Sequence, residues 1–402
     1  MGPGLAHWRG FAGTLGVSTI NWVAKGGGTM RRKGIVLGFV AAISVMLFGA
    51  SAAFGELRIA NITTETGPYA SIGVSNTEAV NILCNIINAQ GGINGEKIIL
   101  IKDDHEGDAG KALVLAKRMV YEEKVIAIIG ATNTAGSMAV SRIANEAKIP
   151  QVQNAPRPSD APVVPYTFQT CPSNETDAEA LARFAIQKLK CKKLAIMHDT
   201  NAYGTTGADA TKKVLEKMGF PPVAVEKYSR DDREMTAPLL KIKNLGADGL
   251  IVWGTVNVPP LIAKEMKKLK IEIPYIGSIG VLNEKFMELA GDAAEGCYFT
   301  SVLNYGNPLP GEKTFFAEYA KIKKTPDLFA ALGWDCLLLI AEGIKRSNSK
   351  DPTKIRDAME GLKNFEGVTG IYNMSPTDHI GTNYTDVSIV KVVDRKWTSV
   401  PK

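Results

Sequence analysis

Histidine and cysteine are scarce in this chain, with four and five residues among 402. The cysteines, Cys84, Cys171, Cys191, Cys297 and Cys336, are odd in number and contain no C-x-x-C pair, which argues against a disulfide framework and against a zinc site. They read as single buried thiols, because free cysteine behaves as a small hydrophobe. Beyond residue 52 only His105, His198 and His379 remain, far apart and without metal-ligand spacing, and they read as loop or surface histidines. No G-x-x-x-x-G-K-S/T, H-E-x-x-H or G-x-S-x-G motif occurs, and no G-x-G-x-x-G follows a strand. The sequence therefore asks for no catalytic residue, no cofactor and no metal.

A surplus of one charge is wanting as well. Lys+Arg 47 against Asp+Glu 41 gives +6, and the first 52 residues, with Arg9, Lys25, Arg31, Arg32, Lys33 and no acid, supply nearly all of it. A near-neutral remainder offers no basic face for nucleic acid, which is excluded as a partner. Long apolar runs are limited to Ile35–Phe48, short of the roughly 18 residues of a spanning helix. Arg31-Arg32-Lys33 before it and Ala50-Ser51-Ala52 after it give the order of a secretory signal peptide beginning at Met30, an uncleaved anchor being the alternative. Residues 1–29 are Gly-rich and without periodicity, so 1–52 are set apart as an N-terminal extension and signal peptide (30–52). With no cysteine at the cleavage site, a soluble exported protein starting near Ala53 is expected.

The chain as a whole is globular in composition, 45% apolar and 22% charged, and the part beyond residue 52 is long enough for two domains. Its pattern is alternation. Leu57–Ile62 reads as a strand, Thr77 as the cap of a helix with Ala79, Val80, Leu83, Ile86 and Ile87 on one face, and Gly91-Gly92 as its end. Lys97–Lys102 is the next strand, Asp108 the next cap, and Val125–Ile129 a third strand. The beat returns in Leu194–Met197, Thr206–Met218, Val223–Val225, Met235–Leu245, Leu250–Val252, Leu261–Leu269 and Tyr275–Ile276. Short apolar strands between helices predict an α/β fold with parallel sheets covered on both faces. Pro150 to Pro172, dense in proline, is where a first crossing between domains is expected, and the long apolar helix Ala330–Ile344 is assigned back to the first domain.

Three strand-to-helix loops are rich in small polar residues: Thr66–Gly73, with Tyr69 and Ser71 as candidate contacts, Ala131–Ser137, and Asp199–Gly204. Loops at strand carboxyl ends are where open α/β sheets bind ligands. The second opens a helix whose first N–H groups can hold a carboxylate. Taken singly, each is equally an ordinary cap or turn.

In order along the chain stand Thr66-Gly67-Pro68, Asn88-Ala89-Gln90-Gly91-Gly92-Ile93-Asn94-Gly95 with Asp103-Asp104 after it, Val125–Gly130 with its Thr/Asn-rich loop, Ile149-Pro150, Asp199 to Tyr203-Gly204, and Ala294-Glu295-Gly296. The series resembles the branched-chain amino-acid type of periplasmic substrate-binding proteins of ABC transporters, over about 57–400. The resemblance implies two Rossmann-like lobes joined by three crossing segments, with 57–172 and 298–372 in lobe 1 and 173–297 and 373–402 in lobe 2. It implies a small-molecule ligand held between them, an ABC permease in the inner membrane as partner, a periplasmic location and a monomer.

Carried over by position, Asn133, Thr134 and Ala155 fall where a ligand carboxylate is met, and Tyr203 matches a second-lobe tyrosine. Arg157 is either a bidentate carboxylate donor or a solvated loop arginine. Trp253 and Trp334 are ligand contacts or core, with Tyr203 and Trp253 as candidate stacking walls. Ile279 takes the place of the acid that meets an α-ammonium, so an apolar or aromatic carboxylic acid is expected instead of a branched-chain amino acid. Glu284 or Asp199 would supply the charge if the loop runs differently. A sensor feeding a signalling partner, and a branched-chain amino-acid binder, are the alternatives.

Overall fold

The computed structural model describes residues 55–156, 163–305, 308, 310–383 and 385–401. The signal peptide expected at 30–52 and Arg157 lie outside these.

In the first strand, β1 (Glu56–Thr63), side chains alternate between two helical layers. Leu57 and Ile59 pack with Val80, Leu83 and Ile87 of α1 (Ala70–Ala89), while Ala60 and Ile62 pack with Ala112, Ala116 and Met119 of α2 (Ala109–Tyr121). That two-faced burial explains the nearly continuous apolar run. With β2 (Lys97–Asp104), β3 (Ala127–Gly130), β4 (Gln151–Gln153) and β5 (Thr167–Gln169), β1 forms a parallel sheet in the order β2-β1-β3-β4-β5, and α3 (Thr134–Ala147) follows β3.

The second sheet has the order β14-β13-β10-β9-β8-β6-β7. Its parallel part is β6 (Leu194–Asp199), β7 (Ala224–Tyr228), β8 (Gly249–Trp253), β9 (Tyr275–Gly277) and β10 (Tyr298–Ser301). The chain's last strands, β13 (Ser388–Val393) and β14 (Lys396–Ser399), add antiparallel at its edge. On its faces lie α4 (Asn174–Arg183), α5 (Ala202–Lys217), α6 (Thr236–Asn244), α7 (Val258–Lys268) and α8 (Glu284–Ala290).

Between β10 and β13 run α9 (Pro310–Lys321), α10 (Leu328–Ser347), α11 (Pro352–Glu360) and the two-residue strands β11 (Phe365–Glu366) and β12 (Ile371–Tyr372). Helix α10 packs along α1 and on the first sheet. The chain thus passes between the sheets three times, after Gln169, after Ser301 and between Tyr372 and Ser388. The first and third of these passages are fastened to α10 and to the first sheet. Thr170 Oγ1 donates to Leu332 O at 3.1 Å, and the Gln169 N–H to His379 O at 3.0 Å. Buried Asp335 of α10 accepts from the N–H groups of Val368 and Thr369 at 2.9 and 2.8 Å and from Tyr372 Oη at 3.0 Å.

The structure corrects two sequence expectations. Thr77 is no cap: α1 begins two turns earlier, at Ala70, and Thr77 is buried with Oγ1 bonded to Thr63 Oγ1 at 3.1 Å. Tyr298–Ser301, assigned to lobe 1, is a strand of the second sheet between β9 and β13. The first crossing falls at the end of the proline-dense stretch, after Gln169, once β4 and β5 have been added to the first sheet.

Candidate functional site

Carboxyl ends of strands in both sheets face a shared cleft of about 680 Å³, partly open to solvent. On the first-sheet side, Asn133 caps α3 by accepting the Gly136 N–H at 2.7 Å and donates Nδ2 to Gly107 O at 2.9 Å. The N–H groups of Thr134 and Ala135, the first two of the helix, have no protein partner among the described residues. Both residues line the cleft, so the positive end of a 14-residue helix opens into it. Thr134 Oγ1 donates to Pro156 O at 3.2 Å, fastening the segment after β4 to this turn. Ile72 of α1 and Leu328, Phe329 and Leu332 of α10 supply apolar wall.

On the second-sheet side, Asn201 caps α5 through the Gly204 N–H at 2.8 Å, which sets Tyr203 in the first turn. Tyr203 Oη donates to Ser278 Oγ at 3.0 Å and accepts the Gly280 N–H at 2.9 Å. Burial pushes its phenol well above the usual value, with Asp177 adding to the effect. The turn 279–281 is thereby pinned, and Ile279 and Gly280 form cleft wall. Asp177 sits fully buried behind this turn, and burial raises its carboxyl to about 7. Asp199 is raised to about 7 by burial too, and its carboxylate accepts the Asn201 N–H at 3.2 Å and Asn201 Nδ2 at 2.7 Å. Across the cleft, Asn201 Nδ2 lies 3.5 Å from Tyr69 Oη. Among the described residues lining the cleft there is no Asp, Glu, Lys or Arg.

Residues 56–396 match the family described as periplasmic binding protein. The chain belongs to that family. It is similar to the Leu/Ile/Val-binding protein homolog 3 of Brucella melitensis, 26% identical over 84% of this chain and 92% of that one. It is likewise 27% identical to an amino acid binding protein of Pseudomonas aeruginosa, over 83% and 88%. Among solved structures, a periplasmic binding protein type 1 from Bordetella pertussis superposes with a TM-score of 0.79 at 26% identity, covering 86% of this chain and all of that one. The LivJ protein of Streptococcus pneumoniae, solved in complex with isoleucine, shares the fold with a TM-score of 0.78 at 24% identity.

Within this periplasmic binding protein, Tyr69, Asn133, Thr134, Ala155, Tyr203 and Ile279 come together on the cleft. Asn133, however, spends its amide on the cap and on Gly107. Ser71 does not line the cleft; its Oγ is buried in the first turn of α1 without a partner. Trp253 is core: it is wholly buried, its Nε1 donates to Thr211 Oγ1 at 2.8 Å, and its ring backs Tyr203 at 5.3 Å. Trp334 is core as well, edge-on to Phe315 at 5.4 Å. Of the two candidate stacking walls, Tyr203 lines the cleft and Trp253 does not. Glu284 and Asp199 bring no carboxylate to the cleft, since Glu284 accepts from Trp397 Nε1 at 2.9 Å and Asp199 holds Asn201. The three histidines are buried, not superficial: His105 bonds Thr64 Oγ1, His198 its neighbour's carbonyl, and His379 stacks on Phe168 at 4.2 Å. All five cysteines are buried and free, and Cys171 lines the cleft.

Sequence reasoning missed Asn154, Asn201 and the Leu328–Leu332 wall. Asn201 lay within a loop already singled out. The wall had a signal in Asp327, whose acceptance of the Ala330 N–H at 2.9 Å starts α10 just ahead of its apolar run.

Proposed function

We propose that this chain is an extracytoplasmic receptor that encloses a small carboxylate with an apolar body between its two lobes and delivers it to an ABC importer. The observation that carries the ligand class is the cleft itself: an open helix N-terminus on one side, apolar side chains from α1, α10 and the 279–281 turn around it, and no acid among its described lining residues. A carboxylate is stabilised by unpaired N–H groups at a helix start. A buried ammonium without a counter-charge is costly, and the resemblance to the family puts Ile279, a cleft residue, in the counter-charge's place. Residues 30–52 are proposed to direct export, and the family is one of binding proteins, so the ligand leaves as it entered. Tyr69, Thr134, Ala155, Tyr203 and Ile279 are the proposed contacts, and the protein is proposed to act as a monomer.

The relatives' names favour a second reading, in which leucine, isoleucine or valine is the ligand. Mass spectrometry of small molecules released from the purified protein by mild denaturation distinguishes the two. An apolar carboxylic acid supports the first reading; recovery of a branched-chain amino acid overturns it.

A further inference from the structure

Asn154, at the end of β4, is a cleft residue whose hydrogen bonding the protein leaves incomplete. It lines the cleft with 6% of its surface exposed, and its Oδ1 is buried with no partner. The neighbouring amides are all engaged. Asn133 caps α3, Gln153 Nε2 donates to Ala155 O and to Gln169 Oε1 at 3.0 Å each, and Asn201 holds Asp199. An acceptor left alone in such a place is unfavourable until something donates to it. Its position says what that something accompanies. Pro156, two residues on, is bonded to Thr134 Oγ1, so Asn154 belongs to the same corner of the cleft as the open N–H groups of Thr134 and Ala135.

We propose that Asn154 reads a neutral donor carried next to the ligand's carboxylate, which makes the ligand a hydroxycarboxylic acid with an apolar body. This rests on the carboxylate reading above and narrows it. A hydroxyl group donates without needing a counter-charge, in keeping with a described lining that offers none.

The test is calorimetric titration with three probes of one carbon skeleton: 2-hydroxy-4-methylpentanoate, 4-methylpentanoate and leucine. The hydroxy acid is expected to bind about tenfold or more tightly than its deoxy counterpart. In Asn154→Leu, which keeps the side-chain volume, that ratio is expected to fall to about twofold or less, through loss of hydroxy-acid affinity alone. Asn154→Ala carries the same expectation if the Leu variant does not fold. Equal binding of the two acids by the native protein, or an undiminished ratio in a folded variant, overturns this inference and leaves the carboxylate reading standing. Leucine binding more tightly than both acids overturns the two together.

Discussion

The carboxylate of Asp177 accepts the backbone N–H of Ile279 at 3.1 Å, so a buried acid stands behind the cleft wall and is aimed at the main chain. An isoleucine side chain, and not a charge, lines the cleft there. Tyr203 pins the next residue of the same turn from the other side.

Asp177 gives the first prediction. Its folded carboxyl titrates near 7 because burial disfavours the anion, whereas an unfolded aspartate titrates at about 3.9. Between those values the folded state keeps a proton that the unfolded state releases, so this group's stabilisation is full below about pH 4 and is lost as pH rises to about 7. Asn cannot titrate. The stability of Asp177→Asn relative to the native protein is therefore expected to increase between pH 5 and pH 8 in urea unfolding. A difference that does not change with pH would show that Asp177 is ionised in both states.

Tyr203→Phe removes a donor to Ser278 and leaves the buried Gly280 N–H without an acceptor. Stability is expected to fall by about 1–3 kcal/mol. Ligand affinity should fall with it, because the Ile279–Gly280 wall loses a fixed position. Equilibrium unfolding and titration of the same preparation check both, and native values in each would show that the turn is held by other means.

Gly207 of α5 lies against the Trp253 ring, where an added Cβ would come within 2.0 Å of Cε3. Gly207→Ala must push helix and ring apart and is expected to cost about 1–3 kcal/mol, with a change in tryptophan fluorescence. An unaltered spectrum and stability would mean that α5 does not pack on Trp253.

The alternation of strand and helix was legible because the central strands are short apolar runs and most helices carry an apolar stripe, as in the wholly buried Leu194–Asp199 followed by α5. The cleft loops were legible for the same local reason: Asn133 and Asn201 are caps, and caps open helices at strand ends. What could not be read locally was pairing and depth. Tyr298–Ser301 looks like any apolar strand, and only its partners, Ile276 and Gly277 on one side and Ser388 to Lys391 on the other, assign it to the second sheet. Trp253 and Trp334 are candidate contacts by position, yet both are core, and only packed neighbours such as Gly207 against the Trp253 ring show it. Asn154 gave no signal at all, since an unmet acceptor exists only once neighbours are placed around it.

The central claim is that the cleft takes a carboxylate without an ammonium, and calorimetric titration tests it most directly. Native protein is compared with Ile279→Glu for leucine, isoleucine, valine and 4-methylpentanoate. The account predicts that native protein prefers the plain acid to each amino acid by about tenfold or more, and that Ile279→Glu reverses the order by placing a carboxylate on the cleft wall. Submicromolar binding of leucine, isoleucine or valine by the native protein would contradict it.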